Sequence, residues 1–250
     1  MTFDSDGVAL LGVLHLPAGP GRHPVVVLPH GFPGNERNFD LAQALRRAGY
    51  AALVFHYRGS WGVDGSWSWG HVLQDTARVV TQLRDPSFAA IHRLDPERPA
   101  LIGHSLGGFA ALMTAAADPA VIAVGSVSGF DIGTAAACEA DPSLRASFVE
   151  WWKDLLLPLQ GTSSQELVRE METAGSAWSL ARLAPQLADR PVLLIGTSRD
   201  DDTPAAVYHH PLVDAYLAHP IPPSRTPRLR LRPLLVGPSS RPCTDRHRLP

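Results

Sequence analysis

The chain has 250 residues, 45% of them hydrophobic and 18% charged, with a formal net charge of −2. That is enough apolar material for one sizeable core, and there is no global basic field to hold nucleic acid or an anionic membrane. Two cysteines, Cys138 and Cys243, make neither a disulfide framework nor a zinc site. Apolar runs such as Val25 to Leu28 are too short to cross a bilayer, and Met1 to Asp6 lacks the basic and apolar stretches of a signal peptide. A cytoplasmic globular protein is expected.

In chain order, Val8 to Leu16 reads as a strand closed by a Pro-Ala-Gly-Pro-Gly turn. Val25 to Leu28 is continuously apolar, as suits a strand buried on both faces. Glu36 to Ala48 follows a candidate N-cap, Asn35, and stops at Gly49, which predicts a helix. Ala51 to Phe55 is another buried strand. His71 to Leu83 has helical spacing, with Val72, Leu73, Val79 and Leu83 on one face. Ala100 to Ile102 is a strand running into Ser105 and a helix of small residues that ends near Ala117. Val121 to Val127 and Pro191 to Ile195 are further strands, and Ala205 to Leu217 a further helix.

Between the last two strands, residues 131–188 carry only helical patterns, over Leu144 to Leu157, Gln165 to Thr173 and Ala177 to Leu187. Short strands alternating with helices predict an α/β fold: a mainly parallel central sheet with helices on both faces. Residues 1–130 and 189–218 would form its core, with 131–188 inserted as a helical cap. Residues 219–250 break the pattern. They hold eight prolines and seven arginines against one acid, Asp245, with no alanine and no aromatic residue. Such a segment is poorly suited to finishing a packed domain. Two accounts fit the change: a natural extension, or a reading-frame shift past codon 218. The 21 arginines to one lysine, Lys153, point to a GC-rich gene, which misread gives strings of this kind.

The chemistry concentrates in Gly103-His104-Ser105-Leu106-Gly107-Gly108, set between a predicted strand and a predicted helix. A G-x-S-x-G turn in that context holds its serine in a strained conformation, with the hydroxyl raised above the sheet at a helix N-terminus. A bystander serine in a glycine-rich turn is the structural alternative. The second element is His30-Gly31-Phe32-Pro33-Gly34, just past the Val25 strand. An oxyanion needs two converging backbone N–H groups, and the amides of Phe32 and Leu106 are the candidates, since Pro33 cannot donate. His30 reads as support for this loop rather than as an acid or base.

These strings, with Tyr57-Arg58-Gly59-Ser60 and Pro191 to Asp200, resemble the α/β-hydrolase family. The nearest branch is that of dienelactone hydrolases and acylaminoacyl-peptidase-like serine hydrolases, and the resemblance covers roughly residues 1–215. It implies a Ser, Asp, His order along the chain. Three acids stand together at the expected place, and Pro204, four residues on, selects Asp200, with Asp201 second. The implied histidine window, about 230 to 236, contains none. His247 has the right topological order but only three residues behind it, so no closing helix can anchor it. His209, His210 and His219 are the others beyond Asp200, and a chain with no catalytic histidine is the remaining reading.

Trp61, Trp151 and Trp152 would overhang the serine as an acyl pocket, or else bolt the cap to the sheet. His30 and Arg58 border the same region. Arg58 would hold a substrate carboxylate or form a structural ion pair. Motifs for zinc or nucleotide binding are absent, so no metal and no cofactor is expected. The expected activity is serine hydrolysis of a small-molecule carboxylic ester, or of a small acyl amide or peptide, with no nucleic-acid or membrane partner. The alternative is a catalytically impaired protein that keeps the fold for binding.

Overall fold

In the computed structural model, the residues described are 1–138, 142–200 and 203–220. Among them, one seven-stranded sheet runs in the order β1-β2-β4-β3-β5-β6-β7. Its strands are β1 (Thr2–Ser5), β2 (Val8–His15), β3 (His23–Leu28), β4 (Ala51–Phe55), β5 (Leu94–His104), β6 (Ala123–Val127) and β7 (Val192–Ile195). The hairpin β1-β2 and the β2-β4 pairing are antiparallel, and all later pairings are parallel. Every residue of β4 and the last four of β3 are buried, because helices cover both faces.

On one face α1 (Phe39–Arg47) sets Ala42 on Val26, Leu28, Ala52 and Val54. On the other lie α2 (Trp69–Leu83), α3 (Pro86–Ile91) and α4 (Leu106–Ala117). Ser68 caps α2 by accepting from the His71 amide at 3.0 Å. α4 is built almost wholly of small and apolar residues and is buried nearly all round.

Between β6 and β7 the described residues form α5 (Ile132–Cys138), α6 (Pro142–Lys153) and α7 (Ser164–Ala174), followed by 3₁₀ turns over 175–178 and 180–187. Two short helices, α8 (Ala205–Tyr208) and α9 (His210–Leu217), follow β7. No helix among the described residues is long and apolar enough to cross a membrane.

Several boundaries differ from the sequence expectation. α1 begins after Asn38 rather than Asn35, because Glu36 reaches His104 and Arg37 lies over the Trp61 ring, which draws the expected first turn away from the helix. The helix expected over Ala177 to Leu187 is 3₁₀: Pro185 lies within it, and the Leu180 amide is given to the Asp131 carboxylate. The helix expected over Ala205 to Leu217 breaks at His209, ahead of Pro211. The segment 219–250 lies outside the described residues from 221 onward.

Candidate active site

β5 ends at His104, α4 begins at Leu106, and Ser105 makes the whole turn between them with φ 53° and ψ −123°. That backbone is costly for any residue with a Cβ, so the surroundings must hold it. The Ser105 amide donates to Val127 O at 2.9 Å, and its carbonyl accepts from Gly108 at 2.9 Å and from Phe109 and Phe130 at 3.2 Å. Packing is equally tight. A Cβ on Gly103 would run into the Gly107 backbone, and one on Gly107 into the Pro29 carbonyl. Strand, helix and the loop after β3 therefore touch backbone to backbone.

That loop, residues 30–34, runs beside the serine: a Cβ on Gly31 would stand 3.4 Å from the Ser105 Cβ. Among the described residues, neither the Phe32 amide nor the Leu106 amide donates to another part of the chain. The loop is held from behind. The buried His30 bonds through Nδ1 to Gly31 O at 2.8 Å, and Tyr57 donates its hydroxyl to His30 O at 2.9 Å. A carbonyl only accepts, so Nδ1 carries the proton and Nε2 faces His56 Nδ1 at 3.4 Å as an acceptor. Burial holds His30 neutral, with its pKa lowered to about 3.

The remaining expected residues fall in different places. Asp200 lies just beyond β7, where its carboxylate accepts from the Thr203 amide at 2.8 Å and the Thr203 hydroxyl at 2.6 Å. Asp201 and His247 lie outside the described residues. His209 is half-buried with its ring against Gly196, and burial lowers its pKa. His210 and His219 are exposed. Among the described residues no imidazole hydrogen-bonds the Ser105 hydroxyl.

Arg58 is buried and committed elsewhere. Its Nε meets Asp75 at 2.7 Å, Nη2 meets Gln74 at 2.7 Å and Nη1 meets Asp6 at 3.3 Å. Asp75, fully buried, also accepts from the Arg58 amide and the Ser5 hydroxyl at 2.7 Å each. Of the two roles open to Arg58, the geometry is that of the structural ion pair. Trp152 is buried in a ring cluster with Phe32, Trp69, Phe130 and Phe148. Trp151 is 38% exposed, with its ring against Phe148 and Trp152. Trp61 lies behind the 30–34 loop, its indole N–H bonded to Pro33 O at 2.9 Å.

Two residues have partners that their sequence context did not give: Glu170 reads there as part of a solvated helix face, and Asp131 carried no expectation. Glu170 in α7 accepts from the Trp69 and Gly70 amides at 2.9 and 2.7 Å, so a cap carboxylate closes the N-terminus of α2. Asp131, just past β6, accepts from the Thr134 and Leu180 amides at 3.0 and 2.9 Å, and burial raises its pKa. An acid three residues ahead of Thr134 at a helix start was a visible capping signal. Glu170 had no local signal, its partners being about 100 positions away.

The chain belongs to the alpha/beta hydrolase family, whose sequence model matches residues 25–249 and so extends past the motifs that carried the resemblance. Among curated proteins, it is 32% identical over 156 residues to an uncharacterized 31.7 kDa protein of the traX-finO intergenic region of Escherichia coli, covering 58% of this chain and 50% of that one. It is 31% identical over 147 residues to the quorum-quenching protein AidA of Acinetobacter baumannii, covering 56% and 46%. The chain thus spans about half the length of these relatives. Among solved structures, Est1E from Butyrivibrio proteoclasticus with bound ferulic acid superposes with a TM-score of 0.60 at 20% identity, over 87% of this chain and 95% of that one. An acetyl xylan esterase from Paenibacillus sp. R4 gives 0.62 at 20% identity, over 88% and 73%. At these identities the likeness speaks to the fold.

Proposed function

We propose that the chain is a serine hydrolase that cleaves a small carboxylic ester, or less readily a small acyl amide, through an acyl-enzyme on Ser105. The observation that carries this reading is the strained Ser105 backbone beside two unengaged amides, Phe32 and Leu106. In the proposed reaction Ser105 Oγ attacks the carbonyl carbon and its proton passes to an imidazole. The carbonyl oxygen, now negative, is held by the Phe32 and Leu106 N–H groups. The intermediate collapses, and the alcohol leaves with the proton from the imidazolium. Water, deprotonated by the same imidazole, then releases the acid. Asp200 is the proposed carboxylate that orients the imidazole, its own position fixed by Thr203. His247 is the proposed imidazole by chain order.

A second reading, an impaired member that lacks its base, is favoured by the absence of any imidazole on Ser105 among the described residues. One experiment separates the two. A fluorophosphonate probe and p-nitrophenyl acetate are applied to the wild type, Ser105→Ala and His247→Ala. The Ser105→Ala variant should lose labelling and at least about 10³-fold in turnover. Equal labelling of that variant would remove the serine from the mechanism. A comparable loss in His247→Ala supports the complete triad, whereas unchanged turnover supports the impaired form, left with the weak catalysis of the amides alone.

A further inference from the structure

The loop after β4, residues 57–67, lies between two parts of the molecule that are far apart in sequence. On one side it is stitched to the cap: Gln160 N donates to Gly59 O at 2.8 Å, Trp67 N to Gln160 O at 2.9 Å, and Gln160 Nε2 to Val63 O at 2.8 Å. Ser60 and Leu159 add an antiparallel bridge. On its other side it meets the 30–34 loop. Trp61 makes both connections by hydrogen bonds, whereas Trp67, bonded to Gln160 O, meets the 30–34 loop through its ring against Phe32. The Trp61 backbone N–H donates to Pro158 O in the cap at 3.0 Å, and its indole N–H donates to Pro33 O at 2.9 Å.

The indole has little freedom. The Arg37 guanidinium lies over the ring at 4.7 Å from its centroid, and Trp61 itself stands at φ 53°. Gly34, at φ 99°, is wedged between this ring and the His30 imidazole; a Cβ there would come within 2.6 Å of both. The two rings thus flank the loop and grip consecutive stretches of it. His30 holds Gly31 O, whose peptide plane also contains the Phe32 N–H pointing the opposite way. Trp61 holds the next carbonyl but one, Pro33 O, and so stops the loop from rotating about the His30 contact.

We propose that Trp61 is a positioning residue: through the Pro33 carbonyl it aims the Phe32 amide, and through Pro158 it makes that aim depend on the seating of the cap. This role rests on the reading of Phe32 as an oxyanion donor. It differs from the pocket-lining role expected of Trp61 from sequence. A pocket residue governs how tightly the ester is held, whereas a positioning residue governs how well the negative oxygen is held once it forms.

The test is Trp61→Phe, which keeps an aromatic ring beneath Arg37 and removes the indole N–H together with the five-membered part of the ring system. Steady-state hydrolysis of p-nitrophenyl acetate is measured beside inhibition by a trifluoromethyl ketone, which adds Ser105 Oγ reversibly and places a negative oxygen at the same amides. The expected result is a fall in kcat of about 10-fold and a matching loss of ketone affinity, with KM within about 2-fold. The melting temperature should stay within about 2 °C. Unchanged kcat and ketone affinity overturn the proposal, as does a rise in KM at constant kcat, which would return Trp61 to the pocket wall.

Should Trp61→Phe fail to fold, hydrogen exchange in the wild type carries the same test. Ketone binding should slow exchange at the Phe32 amide and the Trp61 indole together, and an indole that does not respond overturns the role. A wild type that neither labels nor turns over would sink the hydrolase reading itself. An active wild type with an indifferent Trp61→Phe sinks this inference alone.

Discussion

His30 sits fully buried between Tyr57, His56 and the loop it supports, and burial keeps its imidazole neutral far below the usual titration range. In the unfolded chain the same ring takes up a proton near pH 6.5. Its folded pKa is the lower of the two, so the unfolded state binds more protons as pH falls below 6.5, and stability is lost from there down towards pH 3. Between pH 7 and pH 5 this one residue should remove about 2 kcal/mol. Denaturant titrations at the two pH values check it: His30→Gln should lose about 2 kcal/mol less than the wild type over that interval. The lowered pKa values of His15, His56 and His209 act in the same direction, and the raised one of Asp131 in the opposite direction. At this scale the sequence was most legible where chemistry lies in contiguous strings, as at residues 30–34 and 103–108. It was least legible for Arg58, whose role is settled by Asp75, 17 positions on, a carboxylate that also accepts from the Ser5 hydroxyl.

Elements were readable wherever local pattern and tertiary demand agree. β3 and β4 are apolar throughout because both of their faces are covered, and α2 announces itself by spacing. The boundaries moved where a distant partner claims a residue, as Trp61 claims Arg37 and Asp131 claims the Leu180 amide. Arg190 is such a partner for α4. Its Nη1 donates to Ala115 O, Asp118 O and Val121 O at 3.0, 3.1 and 2.9 Å, so a buried guanidinium closes the C-terminal end of the helix that carries Ser105. Arg190→Met strips these carbonyls of their donor and should destabilise the protein by about 3 kcal/mol. Thermal unfolding should register this as a drop of about 8 °C, and Arg190→Lys should recover only part of it.

Across the whole molecule, strand alternation made the parallel sheet legible, while the manner in which the cap is fastened was not. The acids of α7 resemble a solvated helix face in sequence, and Glu172 indeed pairs with Arg145 at the surface. Glu170 does not: it reaches the first amides of α2, next to Trp69, whose indole N–H donates to Leu167 O at 3.0 Å. No window of sequence reveals a contact across 100 positions. Glu170→Ala should loosen this fastening by about 1 kcal/mol. Amide exchange in α7 would then quicken severalfold while β3 and β4 stay as protected as before; equal acceleration throughout would mean that cap and sheet open as one unit.

Ser105 occupies a backbone shape that glycine adopts freely and serine resists. Glycine there would relieve on the order of 1 kcal/mol while leaving the contacts of Gly103 and Gly107 in place. Random substitution in a lineage with no use for the hydroxyl therefore drifts downhill, away from serine. Serine at this point carries a standing cost in stability that glycine would not.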